Sequence, residues 1–460
     1  MEKYLKYALI SVILISFLAK FILVFLNQGL WWDEAVYLGL GKSIQKGFYS
    51  LEQEKPVETF RPPVFPLVIS VFSGDILIAR IIVVLISMFS VAAVYLLSKE
   101  LFGKETALWA SLFLSANHLF VFFSTKILSE PLFISLISIS LLFLFRGEKK
   151  PVNSLISGMF ASLAFLTRYL GTILIVSCFL YFIALFFRKK EMKKTAKEFT
   201  FFLAGFLTVL FPWLMLSYIY YGNIFGAYFT NLIIYSGGPA SSLLEHFSGI
   251  LDIFGLQIVF VALGLYVVTR HMKQKVEASK LLLLAIFILP IIFALFASHI
   301  EPRYLLSYLP AYAIFFGISM KREFKHIGKF IKPIGLILCL FSMLLGFLMI
   351  WNDRFAANGL VESSLYLKGI ASEKDVVMSE SYPYIFYLSE RKAVVFPQNP
   401  EDVTELAKSN NVKYVLLYKF EPGNPAYTAN YFENKTNFEL IKSFGQWGDP
   451  EAVRIFKVVQ

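Results

Sequence analysis

Arg61-Pro62-Pro63 places a guanidinium before a stiff dipeptide, and proline holds the residue before it extended. A guanidinium held that way suits a phosphate, which it can grip through two parallel hydrogen bonds. It suits plain snorkelling to anionic headgroups equally well. Glu301-Pro302-Arg303-Tyr304 has the same character: an acid, a stiff turn, a phosphate-sized cation and a hydroxyl. Asp33 and Glu34 are adjacent acids directly after Trp31-Trp32. Adjacent helical residues point about 100° apart, so the two acids need not share a task, whereas Asp33 and Tyr37 share a face. Acids at a helix start also complement the helix dipole without doing chemistry, so spacing leaves both readings open.

Three further features join these. Glu130-Pro131 opens an apolar run, Arg168-Tyr169 falls in a very short turn, and Lys20, Arg80, Lys126, Asp252 and His299 lie near the ends of apolar runs. Each suits an ion pair or interfacial anchor as readily as a site. His118 reads as a core or cavity residue, and His246, His271 and His326 lack ligand spacing. The two cysteines, Cys178 and Cys339, fall inside apolar runs and read as small core residues. Asn434-Lys435-Thr436 is a glycosylation sequon of low specificity.

The elements that must position these residues are membrane helices. Of the 460 residues 57% are hydrophobic, 49 are phenylalanine, and mean hydropathy is +0.65. Soluble chains are nearer 45–50% apolar, so the solvent is lipid. A span needs about 20 apolar residues. On that rule spans fall near 4–26, 76–98, 105–125, 131–146, 153–168, 170–187, 198–220, 248–269, 280–298, 303–320 and 333–351, about eleven in all. No cleavage site follows the first, so no signal peptide is expected. The net charge of +11 could suggest nucleic acid. Its basic residues, however, form short runs between spans, all on one face, which marks that face as cytoplasmic and excludes nucleic acid as a partner. The amino terminus is then inside and everything after Trp351 outside. Residues 27–66 form an outer loop whose tryptophan pair resembles interface anchors, and the apolar segment after Pro62-Pro63 is too short to span and reads as an interfacial helix. From residue 352 the pattern shifts to alternation, with strands near 375–380, 393–396, 413–419 and 453–459 and helices near 360–369 and 400–409. The expected fold is thus an all-α polytopic membrane domain, 1–351, with a small C-terminal α/β extracytoplasmic domain, 352–460.

A charge at the bilayer centre costs at least about 2.5–3.5 kcal/mol. Here nearly every ionisable group in a span lies towards its outer end. Carriers bind near the midplane, whereas work on a lipid headgroup and an external acceptor needs polar groups at the outer interface.

The order of these motifs resembles that of a known family. Trp32-Asp33-Glu34-x-x-Tyr37 is followed by Arg61-Pro62-Pro63, Ala79-Arg80, Leu101-Phe102-Gly103, Ser129-Glu130-Pro131, Thr167-Arg168-Tyr169 and Arg303-Tyr304-Leu305-Leu306. That succession resembles the GT-C glycosyltransferases, in the branch of protein O-mannosyltransferases and lipid A aminoarabinose transferases. The tail, with Ser379-Glu380 and Tyr387–Val395, resembles those of prokaryotic members. The resemblance implies a polyprenyl- or dolichyl-phosphate-linked sugar as donor, inversion at the anomeric carbon, and an acceptor protein, lipid or glycan. It assigns Asp33 as general base, Glu34 to orient acceptor or base, Arg61 and Arg303 to the donor phosphate, and Tyr37, Glu130, Arg168 and Tyr304 to the sugar pocket. It requires no cofactor and assigns no metal ligand, and it neither requires nor excludes a divalent metal near the acids. The alternatives are a lipid-linked glycan flippase or other non-catalytic transport protein, and an external binding module on a membrane base.

Overall fold

The computed structural model describes residues 2–51, 57–58, 60–147, 150–187, 192–226, 228–229, 255–274, 278–295, 302–306, 308–320, 328–433 and 435–459. Asp252, His246, His299, His326, Glu301, the start of the 248–269 span, Asn434 and the 230–247 part of the outer loop lie outside them. The described chain is mostly helical, with one sheet near its C-terminus. Packing divides it into two compact units. The first comprises Met1–Phe25, Thr59–Phe65 and Leu77–Ile350, and the second Leu26–Glu58, Pro66–Ile76 and Trp351–Gln460.

In chain order the helices are α1 (Glu2–Leu26), α2 (Trp32–Gln45), α3 (Val64–Ser70), α4 (Ile76–Phe102), α5 (Lys104–Ala116), α6 (His118–Phe123), α7 (Glu130–Gly147), α8 (Pro151–Phe165), α9 (Gly171–Phe186) and α10 (Met192–Tyr221). They continue as α11 (Ile258–Gln274), α12 (Ala278–Leu295), α13 (Pro302–Leu306), α14 (Leu309–Ser319), α15 (Gly328–Asp353), α16 (Asn358–Ile370) and α17 (Asp402–Ser409). Among the described residues four helical stretches are long and apolar enough to cross a membrane: Ile76–Phe102, Glu130–Gly147, Met192–Tyr221 and Phe330–Asp353. Six more apolar stretches are shorter, at 10–17 residues. The segment expected to be one span at 105–125 is two helices. Asn117 breaks it, its Oδ1 accepting the Phe120 N–H at 3.0 Å and so capping α6.

Lipid is as apolar as leucine, so helices in the first unit associate through close backbone approach and shared hydrogen bonds. At the α8–α10 crossing a β-carbon on Gly158 would lie 1.9 Å from the Phe202 carbonyl oxygen, and one on Gly205 would lie 2.0 Å from that of Leu155. Only glycine fits there. Between α7 and α8, Ser140 and Ser157 each donate to the other's carbonyl, at 2.9 and 2.8 Å. Ser90 of α4 donates to the Pro131 carbonyl of α7 at 2.6 Å.

The second unit contains a five-stranded mixed sheet in the order β2-β1-β3-β5-β4. Its strands are β1 (Val376–Met378), β2 (Lys392–Val394), β3 (Val412–Tyr418), β4 (Phe438–Gln446) and β5 (Asp449–Val458). β1 runs parallel to β2 and β3, while β3–β5 and β5–β4 are antiparallel. The core beneath it gathers Met378, Phe396, Val415, Leu417, Phe432 and Phe456, and α17 adds Val403 and Ala407, four residues apart on one face. β4 has no counterpart in the pattern read from sequence. It is an edge strand with two register shifts, so its buried residues do not alternate cleanly. Trp447 and Gly448 both hold positive φ, 50° and 84°, as a two-residue hairpin turn requires.

Candidate active site

Asp33 and Glu34 occupy the first turn of α2 and are buried, as is Tyr37 one turn on. Glu34 reaches back to cap the helix, its Oε2 accepting the Trp31 N–H at 2.9 Å. The tryptophan pair is held by protein, which differs from the interface-anchor reading. Trp31 Nε1–H donates to Asp353 Oδ2 at 2.7 Å, and the Trp32 ring packs edge-on to Tyr382 and Tyr384 at 5.5 and 6.3 Å. The entry to α2 is tied down by backbone too. Gln28 and Gly29 donate to the Arg354 carbonyl at 2.9 and 2.7 Å, and Leu30 to that of Ala356 at 3.1 Å. A β-carbon on Gly29 would sit 2.3 Å from the Ala356 oxygen. The acid-bearing helix therefore packs with residues more than 300 positions downstream. The sequence pattern instead places it in the outer loop 27–66 of the membrane domain.

Tyr384 stands beside the acid pair. Its hydroxyl donates to the Leu30 carbonyl at 2.8 Å. Burial, then the negative charges of Glu34, Glu421 and Asp33, push its ionisation far above the ordinary range, so it stays a donor. Asp353 and Tyr384 are absent from the sequence-derived site. Nothing local marks them, because their relevance arises only from the long-range packing of α2.

At the far end of α2, Lys42 Nζ donates to Glu390 Oε1 at 3.0 Å, and Lys368 meets the same oxygen at 3.1 Å. Those two lysines hold the Glu390 carboxyl at about 2, below its ordinary 4.5. The resulting stability is present above 4.5 and is lost as pH falls towards 2. The pair is partly exposed to solvent, so screening leaves it less than about 1 kcal/mol. Glu390→Gln is expected to lower the unfolding temperature slightly at neutral pH and not at pH 2. A deficit that persists unchanged in acid would rule out the ion pair as its cause.

In the first unit Glu130, Arg168, Arg303 and Tyr304 come together. Glu130 opens α7, and its Oε1 takes Arg168 Nη1 at 2.6 Å, with both side chains largely buried. Arg168 also donates to Ser129 Oγ at 3.2 Å. Arg168 and Arg303 each place a guanidinium 5.9 Å from the Tyr304 ring centroid. The segment carrying Arg61 is pinned to the turn carrying Arg168 by the Val64 N–H, which donates to the Leu166 carbonyl at 2.9 Å. Arg61 itself lies over the Phe60 ring at 4.4 Å. Tyr308, in the short break between α13 and α14, donates to the Leu170 carbonyl and so braces the same turn. Among the described residues no three His, Cys, Asp or Glu side chains gather closely enough to hold a metal ion.

Residues 61–216 match the family described as Dolichyl-phosphate-mannose-protein mannosyltransferase. No curated protein matches the chain in sequence. ArnT from Cupriavidus metallidurans, bound to undecaprenyl phosphate, has a similar structure with a TM-score of 0.72 at 12% identity, covering 97% of each chain. The archaeal oligosaccharyltransferase AglB from Archaeoglobus fulgidus, in complex with an inhibitory peptide and a dolichol-phosphate, gives 0.67 at 12% identity over 89% of this chain and 69% of its own. The arabinofuranosyltransferase AftD from Mycobacteria gives 0.58 at 11% identity, covering 100% of this chain and 40% of its own. The chain shares the fold of ArnT, AglB and AftD, and its residues 61–216 match the dolichyl-phosphate-mannose-protein mannosyltransferase family.

Proposed function

We propose that the chain is a membrane glycosyltransferase that moves a sugar from a polyprenyl-phosphate-linked donor to an acceptor hydroxyl at the outer membrane face, with inversion. The observation that carries this reading is the convergence of Arg168 and Arg303 on the Tyr304 ring beside Glu130. Planar guanidinium groups grip phosphate bidentately, and an aromatic ring beside a carboxylate suits a sugar. Similar structures that hold undecaprenyl phosphate or dolichol-phosphate support the lipid carrier.

In this reading the acceptor hydroxyl attacks the anomeric carbon from the face opposite the phosphate. Asp33 takes the hydroxyl proton as the new C–O bond forms. The anomeric C–O bond to phosphate breaks, and its electron pair leaves on the polyprenyl phosphate. Arg61 and Arg303 neutralise the charge growing there. A phosphate is a good leaving group, so no general acid is needed. Glu34 keeps the start of α2 in place, Tyr37, Glu130, Arg168 and Tyr304 line the sugar pocket, and the acceptor is a protein, lipid or glycan. The chain crosses a prokaryotic cell membrane about eleven times, with its amino terminus inside, residues 1–351 as the catalytic membrane domain and residues 352–460 outside.

Purified protein in lipid, given a labelled polyprenyl-phosphate-hexose, is expected to consume it and release polyprenyl phosphate. Failure to bind or consume any of several lipid-linked donors would sink the reading and move a carrier role ahead.

A further inference from the structure

α15 exposes a broad band of apolar side chains, and along its middle run Ile337, Phe341, Leu344, Leu348 and Trp351, followed past the helix end by Phe355. Their spacing alternates four and three residues, which keeps them on one side of the helix. Lys332 lies at one end of the stripe and Asp353 at the other. The 19 residue steps from Lys332 to Trp351 rise roughly 29 Å at 1.5 Å each, the thickness of the hydrocarbon layer. Trp351 therefore marks the level where lipid tails give way to headgroups.

The stripe does not stop there. Phe355 opens onto a cleft that it shares with Asn352, Asn358, Gln446, Trp447 and Asp449. Trp447, at the tip of the β4–β5 hairpin, is 71% exposed, and the exposed Phe420 ring lies 5.6 Å from it. Leaving an indole that open in water is costly, and indole rings are enriched where an apolar body can meet lipid and the N–H can meet water. Two cations accompany the aromatics. The Arg354 guanidinium lies 3.9 Å over the Trp351 ring and 4.6 Å over Phe355. Lys419, beside Phe420, meets Asp449 at 2.7 Å while remaining largely exposed.

We propose that the tip of the β4–β5 hairpin and the residues that end α15 form a lipid-interface anchor for the C-terminal sheet. Phe355, Phe420 and Trp447 enter the headgroup layer of the leaflet at which α15 ends, and Arg354 and Lys419 meet lipid phosphates. The partner is the bilayer surface. The argument is that Trp351 closes a helical stretch long and apolar enough to cross a membrane, and that Phe355, Phe420 and Trp447 belong to the same compact unit as Trp351. It holds whether or not the chain transfers sugar.

Nitroxide accessibility tests it on the full chain in lipid nanodiscs. Labels are placed through Trp447→Cys, Phe420→Cys and Ser409→Cys; the native Cys178 and Cys339 are buried, and labelled wild type supplies the background. Ser409 is exposed just before the start of β3, roughly 20 Å along the strand from Lys419. Labels at 447 and 420 are expected to be severalfold more accessible to lipid-soluble oxygen, relative to a water-soluble nickel chelate, than the label at 409. If 447 and 420 both give the aqueous pattern of 409, the hairpin faces water, the anchor is wrong, and the cleft is left to a soluble ligand such as a glycan.

Discussion

Asp33→Asn is expected to lower the rate of sugar transfer about 10²–10⁴-fold while leaving donor binding close to wild type, the range a positioned general base contributes. The substitution keeps the shape of a side chain that is only 9% exposed, so it removes the proton acceptor without opening a cavity. Glu34→Gln is the informative contrast. Glu34 caps α2 through the Trp31 N–H, a contact an amide oxygen can still make. It is expected to cost a few tenths of a kcal/mol of stability and far less rate. The measurement is single-turnover transfer from a labelled polyprenyl-phosphate donor alongside donor-binding isotherms. Asp33→Asn with wild-type turnover would remove the base from the mechanism. Equal losses in both variants would mean that α2 itself had been displaced and that neither acid had been tested.

Much of the architecture was legible because lipid imposes a crude rule. Long apolar runs are read without knowing what packs on what, and the shift to short alternating segments after residue 352 announced a sheet. What failed was where a local signal is weak or a partner is remote. Asn117 interrupts an apolar run with a side chain that caps the next helix, and hydropathy averages over a single polar residue. β4 lies on an edge, where one face of the strand is free of packing and its pattern is free to wander. Trp31 and Trp32 look like membrane anchors by type, yet their partners are Asp353 and Tyr382, beyond any window-based reading. The candidate site divides in the same way. Residue types and spacing singled out Glu130, Arg168 and the adjacent Arg303-Tyr304 as separate interfacial groups, and the family resemblance assigned Glu130, Arg168 and Tyr304 to one pocket. Only the fold shows Glu130 and Arg168, 38 positions apart, sharing one hydrogen bond.

That pair yields the second large effect. Arg168→Met is expected to destabilise the protein by about 3–5 kcal/mol, because it leaves the Glu130 carboxylate buried without its counter-charge. One of that carboxylate's oxygens, Oε2, already lacks a hydrogen-bond partner among the described residues. Losing Arg168 would therefore strip the other oxygen of its strongest contact as well. Arg168→Lys should recover only part of the loss: one nitrogen, Nη1, serves both Glu130 and Ser129, and the shorter lysine must shift its ammonium to reach the same two oxygens. Glu130→Gln combined with Arg168→Met removes both charges and is expected to be more stable than Arg168→Met alone, the mark of coupling between neighbours. Thermal unfolding of the four proteins in lipid, with donor binding on those that remain folded, separates stability from recognition. Arg168→Met within about 0.5 kcal/mol of wild type would mean that Glu130 is not held as a buried anion, since that is the scale of an unremarkable surface change. A double variant that is stable yet blind to donor would instead assign the pair's main role to donor recognition.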